Sequence, residues 1–349
     1  MSDKLRFAVL GTGFWSHYQI PAWFEVGGVE LVAVWNRTHS RALAVAEKFG
    51  VPQVYRDAET LFQQEQLDFV DIITEVAAHA ALVELAAQYG VPVICQKPMA
   101  PDYQTAQQMV AVCRDAGVSL FVHENYRWQH PIREVKRVID EGQIGKPFRG
   151  RFQFLHALAP FVWDNQPLLK TLPRLIVADQ GSHQFDLARF FFGEAQSIYC
   201  QHSRVRDDIL AEDVASALLR MGDIICSVDM SFVSKVAWEH FPEEIIFIEG
   251  ELGTVELKAD FWIHLTRDGG TRVWRIPPPH YAWADPAYDV NHASMVPIHQ
   301  DFLRAFRSGE PPENTGEDNL KTMQLVYAAY ESAARNQVVS LDEYGVGSS

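Results

Sequence analysis

Leu5-Arg6-Phe7-Ala8-Val9-Leu10-Gly11-Thr12-Gly13-Phe14-Trp15-Ser16-His17 is the stretch whose reading decides the fold. It begins as a short apolar run, long enough for one buried strand, and ends in glycine. Gly11 suits a tight turn out of that strand. Gly13 lets the backbone approach a pyrophosphate at the start of a following helix, where free N–H groups and the helix dipole favour anions. The third glycine of the G-x-G-x-x-G pattern is replaced by Ser16, which is small enough to permit close helix–strand packing. Alone the motif is weak. Its place at the end of the first strand gives it weight.

The same rhythm continues outward from this stretch. Apolar runs at 31–35, 69–73, 91–95 and 119–123 read as further strands. Residues 41–49, 77–89 and 105–116 read as helices, the last closed by Gly117 as a C-cap. Strands alternating with helices predict a parallel sheet built from βαβ units. Past residue 124 the rhythm changes. A helix is expected over 132–141, then strands at 148–156, 197–205, 215–221, 224–233, 244–249, 253–257, 261–265 and 272–276. Hairpin-like turns such as Met221-Gly222-Asp223 and Arg267-Asp268-Gly269-Gly270 point to a large, mainly antiparallel open sheet. A helix at 180–192 interrupts it, and helices at 298–307 and 319–335 close the chain. Pro277-Pro278-Pro279 opens a loop expected to run to Pro297. The fold class is therefore α/β followed by α+β, divided into 1–123 and 124–349.

Composition narrows the function. The chain has 349 residues, with 45 acidic against 30 basic side chains and a formal net charge of −15. That surplus argues against nucleic acid and against anionic lipid, both of which need a basic face. No uncharged apolar run approaches the ~20 residues of a membrane span. Met1-Ser2-Asp3-Lys4-Leu5-Arg6 leads into the first strand without a signal-peptide core. Cys95, Cys113, Cys200 and Cys226 form no C-x-x-C pair, and no H-E-x-x-H occurs. No metal site is expected, and the scattered thiols suit a cytoplasmic protein.

Three places carry candidate chemistry. At the end of the second strand, sheets that bind NAD usually present an acid to the adenosine ribose, and here Asn36 stands there, followed by Arg37. An amide still bonds a ribose hydroxyl and does not repel a 2′-phosphate. Arg37 could stack on adenine or pair with that phosphate. The residues therefore permit NAD or NADP, with a slight lean to NAD. Lys97, in Gln96-Lys97-Pro98, follows the fourth expected strand at the carboxyl edge of the sheet, where a lysine can stabilise a developing alkoxide. Asp179, His183 and Asp186 are spaced i, i+4 and i+7, so on a helix they share one face. A carboxylate beside an imidazole suits a general base, and it equally suits a capped helix with a core histidine.

Taken together, these segments resemble the sugar oxidoreductases grouped around glucose–fructose oxidoreductase and inositol 2-dehydrogenase. Ile73-Thr74 through His79, 93–98, Asn125-Tyr126-Arg127-Trp128, Gly142-Gln143-Ile144-Gly145, Asp179-x-Gly181-x-His183-x-x-Asp186 and 321–334 each look like a segment of that family. The resemblance covers nearly the whole chain. It implies a Rossmann domain at 1–123 and a substrate-binding, oligomerising α+β domain at 124–349. It also implies a soluble homo-oligomer, a dimer or tetramer formed through the second sheet. Where the family usually has glutamate before the lysine, this chain has Gln96.

The resemblance further implies that Gly11, Gly13, Phe14, Trp15, Asn36, Arg37, Thr74, His79, Gln96, Lys97 and Asn125 contact NAD or NADP. It implies that His183 takes a hydroxyl proton, that Lys97 holds the reacting oxygen, and that Asp179 orients the sugar or His183. Glu124, Trp128, His156, Trp163 and Arg174 are candidate substrate contacts, and Arg127 is equally readable as an ion-pair partner. The segments 11–23, 34–38, 93–101 and 121–128 resemble a subgroup that oxidises the branched pentose D-apiose to its lactone. Alternatives of the same fold are an inositol or other polyol dehydrogenase, a sensor that binds cofactor and sugar without turnover, and an NAD-dependent glycosidase.

Overall fold

The computed structural model describes residues 4–157, 160–237, 241–342 and 344. The chain forms two compact units. The first comprises 4–124 with 295–323, and the second comprises 125–294 with 324 onward.

In the first unit, six strands form one parallel sheet: β1 (Leu5–Leu10), β2 (Val29–Trp35), β3 (Gln53–Tyr55), β4 (Phe69–Ile72), β5 (Val93–Gln96) and β6 (Leu120–His123). Their order is β3-β2-β1-β4-β5-β6. Helices α1 (Ser16–Val26), α2 (His39–Phe49), α3 (Ala58–Gln64), α4 (His79–Gln88) and α5 (Tyr103–Ala116) alternate with the strands. This is the doubly wound Rossmann arrangement. The strand order reverses between β1 and β4, and the crevice beyond their carboxyl ends is where such sheets bind ligands. Every residue of β4, β5 and β6 is buried, as expected for strands covered on both faces. The three residues of β3 and the seven of α3 are too short to show a period, and the sequence analysis passes over them. Lys97 accordingly follows the fifth strand and not the fourth. Gly117 closes α5 in the left-handed conformation, at φ 69°.

The second unit holds a nine-stranded sheet. Its strands are β7 (Pro147–Leu155), β8 (Ser197–Ser203), β9 (Val214–Met221), β10 (Ile224–Ser231), β11 (Ile245–Gly250), β12 (Gly253–Lys258), β13 (Trp262–Arg267), β14 (Gly270–Arg275) and β15 (Val339–Ser340). The order is β14-β13-β12-β11-β7-β10-β9-β8-β15, antiparallel throughout except for β7 beside β10. Strand β9 alternates buried and accessible residues, the mark of a sheet covered on one face. Helix α6 (His130–Asp140), the short α7 (Pro160–Asn165) and α8 (Ile176–Phe192) precede most of these strands, and α8 packs on β7, β9 and β10.

Two late helices, α9 (Asp289–Ser308) and α10 (Gly316–Arg335), differ from expectation. Helix α9 begins within the stretch expected to be loop and carries Pro297 in its interior. Residues 290–296 are all buried, and that burial outweighs the local preference of proline to end a helix. The division of the chain differs too. Residues 295–323 complete the first unit instead of the second, because Phe302 and Phe306 stack on Phe121 and Phe69 at 5.5 and 4.8 Å. His299 lies face to face with Trp23, ring centroids 4.0 Å apart. No described helix is long and apolar enough to cross a membrane.

A buried polar chain runs beneath the first sheet's carboxyl edge. Asp71, fully buried in β4, accepts from Trp23 Nε1 at 3.0 Å and from Gln19 Nε2 at 3.5 Å. Desolvation pushes its pKa up to about 7, against a smaller lowering by the Trp23 hydrogen bond. A raised carboxyl pKa means the folded state holds a proton that the unfolded state has released. Stability therefore falls as pH rises from the unfolded value, 3.8, to about 7, and is level above that. Asp71→Asn removes this dependence. Its stability relative to the parent should climb across that window by up to ~4 kcal/mol, as read by urea unfolding at a series of pH values. A flat difference would show that Asp71 ionises normally.

Candidate active site

The crevice at the end of β1 is shaped by crowding. Gly11 has φ +103°, and a Cβ there would lie 2.5 Å from the carbonyl oxygen of Ile73 and 2.7 Å from Thr74 Cγ2. No side chain fits, because the exits of β1 and β4 touch at this point. Gly13 differs: a Cβ there would meet nothing within 4 Å. Packing within the protein does not require glycine at 13, so the position leaves room for an outside group. Thr12 Oγ1 and Thr74 Oγ1 border the same crevice, buried and without a hydrogen-bond partner among the described residues. Ser16 is fully buried, and its hydroxyl donates to Gly13 O at 2.7 Å, closing the turn into α1. Phe14 packs edge-on against Trp15 and Tyr18 at that helix start. Open space at Gly13, two unsatisfied hydroxyls and the N-terminus of α1 together fit a dinucleotide pyrophosphate.

The exit of β2 is braced by its amide. Asn36 Oδ1 accepts from Thr12 N at 3.2 Å, and Nδ2 donates to Thr38 O at 3.1 Å. The side chain therefore ties the glycine turn to the β2 loop. Arg37 beside it is exposed, with its guanidinium 3.8 Å from Glu75. His79 is buried with Nδ1 3.2 Å from Met99 O and Nε2 3.2 Å from Thr74 O. Burial lowers its pKa, against a smaller raising by its backbone hydrogen bonds. The ring lies between the loops after β4 and β5, with one nitrogen facing a carbonyl of each.

Gln96 is among the residues expected to contact the cofactor. The structure turns its amide inward: Nε2 donates to Gln19 Oε1 at 2.7 Å, and Oε1 accepts from Lys97 N at 2.7 Å. Lys97 is half-buried at the carboxyl end of β5, and its backbone is linked through Gln96 and Gln19 to Asp71. The bond to Pro98 is cis. Glu124, at the end of this segment, is fully buried.

In the second unit, α8 begins at Ile176, so Asp179 sits in its first turn and is not its N-cap. The cap comes from elsewhere in the chain. Glu212 Oε1 accepts from Leu175 N at 3.0 Å and from Val177 N at 3.3 Å. Tyr330 OH donates to the same oxygen at 2.6 Å and accepts from Ala178 N at 3.1 Å. Burial, then the Glu212 charge, raise the Tyr330 pKa, so the phenol stays protonated. Two residues that the sequence analysis does not single out thus fix the turn bearing Asp179.

His183 is buried and lies flat on Tyr126, ring centroids 3.6 Å apart and planes within 4°. Asp186 forms a buried, two-pronged ion pair with Arg127, one contact being Nε–Oδ2 at 2.7 Å. Arg127 is therefore an ion-pair partner, and Asp186 holds the segment 125–128 to the helix that carries His183. Asn125 Nδ2 donates to Asn291 O at 3.3 Å and to Ser294 Oγ at 2.6 Å. Trp128 carries the Arg133 guanidinium 3.8 Å over its ring. His156, buried at the end of β7, accepts from Glu243 N at 3.2 Å, and burial pushes its pKa down to about 4. Trp163 is buried under Arg206, and its Nε1 has no partner among the described residues. Arg174 lies over Tyr327 and Tyr330 in a pocket of about 470 Å³ that His202 and Glu212 also line.

Comparison with known proteins agrees with both halves. A family model described as an oxidoreductase family with an NAD-binding Rossmann fold matches residues 5–124, and a model of the GFO/IDH/MocA C-terminal domain matches residues 132–256. A D-apiose dehydrogenase of Paraburkholderia graminis is 42% identical, over 97% of this chain and 90% of its own length. Another, of Rhizobium rhizogenes, is 39% identical over 97% of this chain and 98% of its own. The crystal structure of an oxidoreductase from Agrobacterium radiobacter in complex with NAD+, L-tartaric acid and magnesium superposes with a TM-score of 0.95 at 39% identity, covering 97% of this chain and 99% of that one.

Two outcomes follow from this geometry. Gly11→Ala should abolish NAD binding measured by titration calorimetry, and retained affinity would show that the loops after β1 and β4 can part. Glu212→Ala leaves two buried N–H groups without their acceptor and should cost ~2–4 kcal/mol in chemical unfolding, against ~1 kcal/mol for Tyr330→Phe. Equal costs would mean that the carboxylate is not the cap.

Proposed function

This chain belongs to the glucose–fructose oxidoreductase and inositol 2-dehydrogenase (Gfo/Idh/MocA) family of NAD-binding oxidoreductases, and on that footing we propose that it oxidises the anomeric carbon of a pentose such as D-apiose to the lactone. The observation that carries the reading is the setting of His183. Its ring is held against Tyr126, on a helix whose first turn bears Asp179 and is fixed by Glu212 and Tyr330. The two D-apiose dehydrogenases that match nearly the whole chain support the substrate.

NAD held at the Gly11–Gly13 turn, with Thr12 and Thr74 beside it, would supply the acceptor for the hydride lost from the anomeric carbon. The protein handles the remaining proton. His183 accepts it from the anomeric hydroxyl as the C–O bond becomes a carbonyl. Its ring cannot swing away because Tyr126 covers one face. Lys97 donates to the reacting oxygen and stabilises the negative charge that develops there. Asp179, one turn before His183, orients the sugar or the imidazole. The buried Trp163 Nε1, which has no partner among the described residues, is suited to receive a sugar hydroxyl as acceptor.

The uncovered face of the second sheet supports a homo-oligomer. Leu218 and Ile225, on neighbouring strands β9 and β10, are 50% and 46% exposed. Tyr199 pairs with Leu218, and Arg151 lies over Phe247 on the same face. Exposed apolar side chains interspersed with Arg151 and Arg220 on one sheet face suit a second copy of the chain. All four cysteines are free and buried, in keeping with a cytoplasmic location.

The direct test supplies D-apiose and NAD to the purified protein, follows NADH absorbance and identifies the product by NMR. Steady NADH growth with lactone formation is expected, and a keto sugar would overturn the assigned carbon. His183→Ala and Lys97→Ala should each lower turnover by ~10²–10⁴-fold while NAD affinity is retained. Parental turnover in both would refute the assigned roles. Leu218→Arg should shift the mass measured by light scattering to that of the monomer, and an unchanged mass would place the interface elsewhere.

A further inference from the structure

We propose that Glu75 sets this protein against a dinucleotide carrying a 2′-phosphate, by holding Arg37 and by adding a negative charge at the rim beyond β2. The proposal rests on the family's NAD-binding fold and goes beyond it, since the acid by which such sheets usually exclude a 2′-phosphate is replaced here by Asn36.

Three observations meet at this rim. The first is the missing acid. An aspartate or glutamate at the end of β2 would hold the ribose hydroxyl and repel a phosphate, but Asn36 is neutral and its amide is tied to Thr12 N and Thr38 O. The second is Arg37, the next residue, whose side chain is 84% exposed. A flexible, exposed guanidinium beside the ribose site would by itself favour a 2′-phosphate. The third is Glu75, on the loop after β4, with a carboxylate oxygen 3.8 Å from the Arg37 guanidinium and a side chain 57% exposed.

An exposed pair at that distance adds little to folding stability. Its effect on a ligand is larger, because a 2′-phosphate carries nearly two charges and lies within a Debye length of both groups. Glu75 opposes such a ligand twice: it occupies the guanidinium, and it repels the phosphate. A ribose hydroxyl is neutral and meets neither penalty. The acid's backbone is also fixed. Ala78 N donates to Glu75 O at 2.9 Å, and the preceding carbonyl, Thr74 O, lies 3.2 Å from His79 Nε2. The loop therefore holds the Glu75 backbone beside Arg37, and the charge missing from β2 is supplied from the loop after β4.

The experiment measures dissociation constants for NAD and NADP by titration calorimetry on the full-length protein, without substrate. The set is the parent, Glu75→Gln, Arg37→Ala and the double variant, at low and at high salt. Glu75→Gln should tighten NADP about tenfold, ~1.4 kcal/mol, and leave NAD within about twofold. In the Arg37→Ala background that gain should shrink to a few-fold, and at high salt it should fade. An unchanged NADP affinity in Glu75→Gln overturns the proposal. So does equal tightening of both cofactors, or a gain indifferent to Arg37. Failure of the parent to bind NAD would instead overturn the cofactor reading beneath it.

Discussion

At the end of β1 the backbone passes so close to the Ile73 carbonyl that only a hydrogen atom fits between them. The cofactor end of the molecule depends on that contact. It lies where the strand order reverses, at the crevice between the ends of β1 and β4. It places Thr12 and Thr74 on opposite lips, both with hydroxyls that nothing in the described protein satisfies. It brings the loops after β2 and β4 near enough for Arg37 and Glu75 to face each other. A single side chain at residue 11 would push the two strand exits apart and undo all three.

Helix α8, which carries His183, is governed by a different principle. Its start is held by an acid 37 residues away in sequence and a tyrosine 118 residues beyond that acid. Its middle is held by the buried Arg127–Asp186 pair, and its histidine by a ring laid flat against it. A buried ion pair does little for net stability once desolvation is counted, but it is costly to break singly. Such bracing holds the helix and the His183 ring in one place. The same logic acts under Lys97, where Gln96 and Gln19 join the lysine's backbone to a carboxyl with its pKa near neutrality.

These contrasts explain what could be read from the chain alone. Strands β1, β4, β5 and β6 are short apolar runs between turn signals, and local pattern defines them well. The glycine turn after β1 and most of helix α8 are legible as elements, because both show in local sequence pattern. Glu212 and Tyr330 were not, because capping from a distant loop leaves no mark near Ile176. Gln96 stands where the family usually has glutamate, and local sequence gives no sign of the partner its amide finds, Gln19, 77 residues earlier. Pro297 signalled a break that buried neighbours override. Residues 295–323 looked like part of the second domain because sequence order says nothing of where a helix returns.

That return has a consequence for how the protein is made. The first unit's parallel sheet is complete by His123, yet Trp23, Phe69 and Phe121 await His299, Phe302 and Phe306. During synthesis, a ribosome must add nearly 180 further residues before those rings arrive, at ~5–20 residues per second. For about 10–40 seconds the nascent sheet carries an aromatic face with no cover of its own. The amino-terminal part of the first unit is thus completed only when the far end of the chain has emerged.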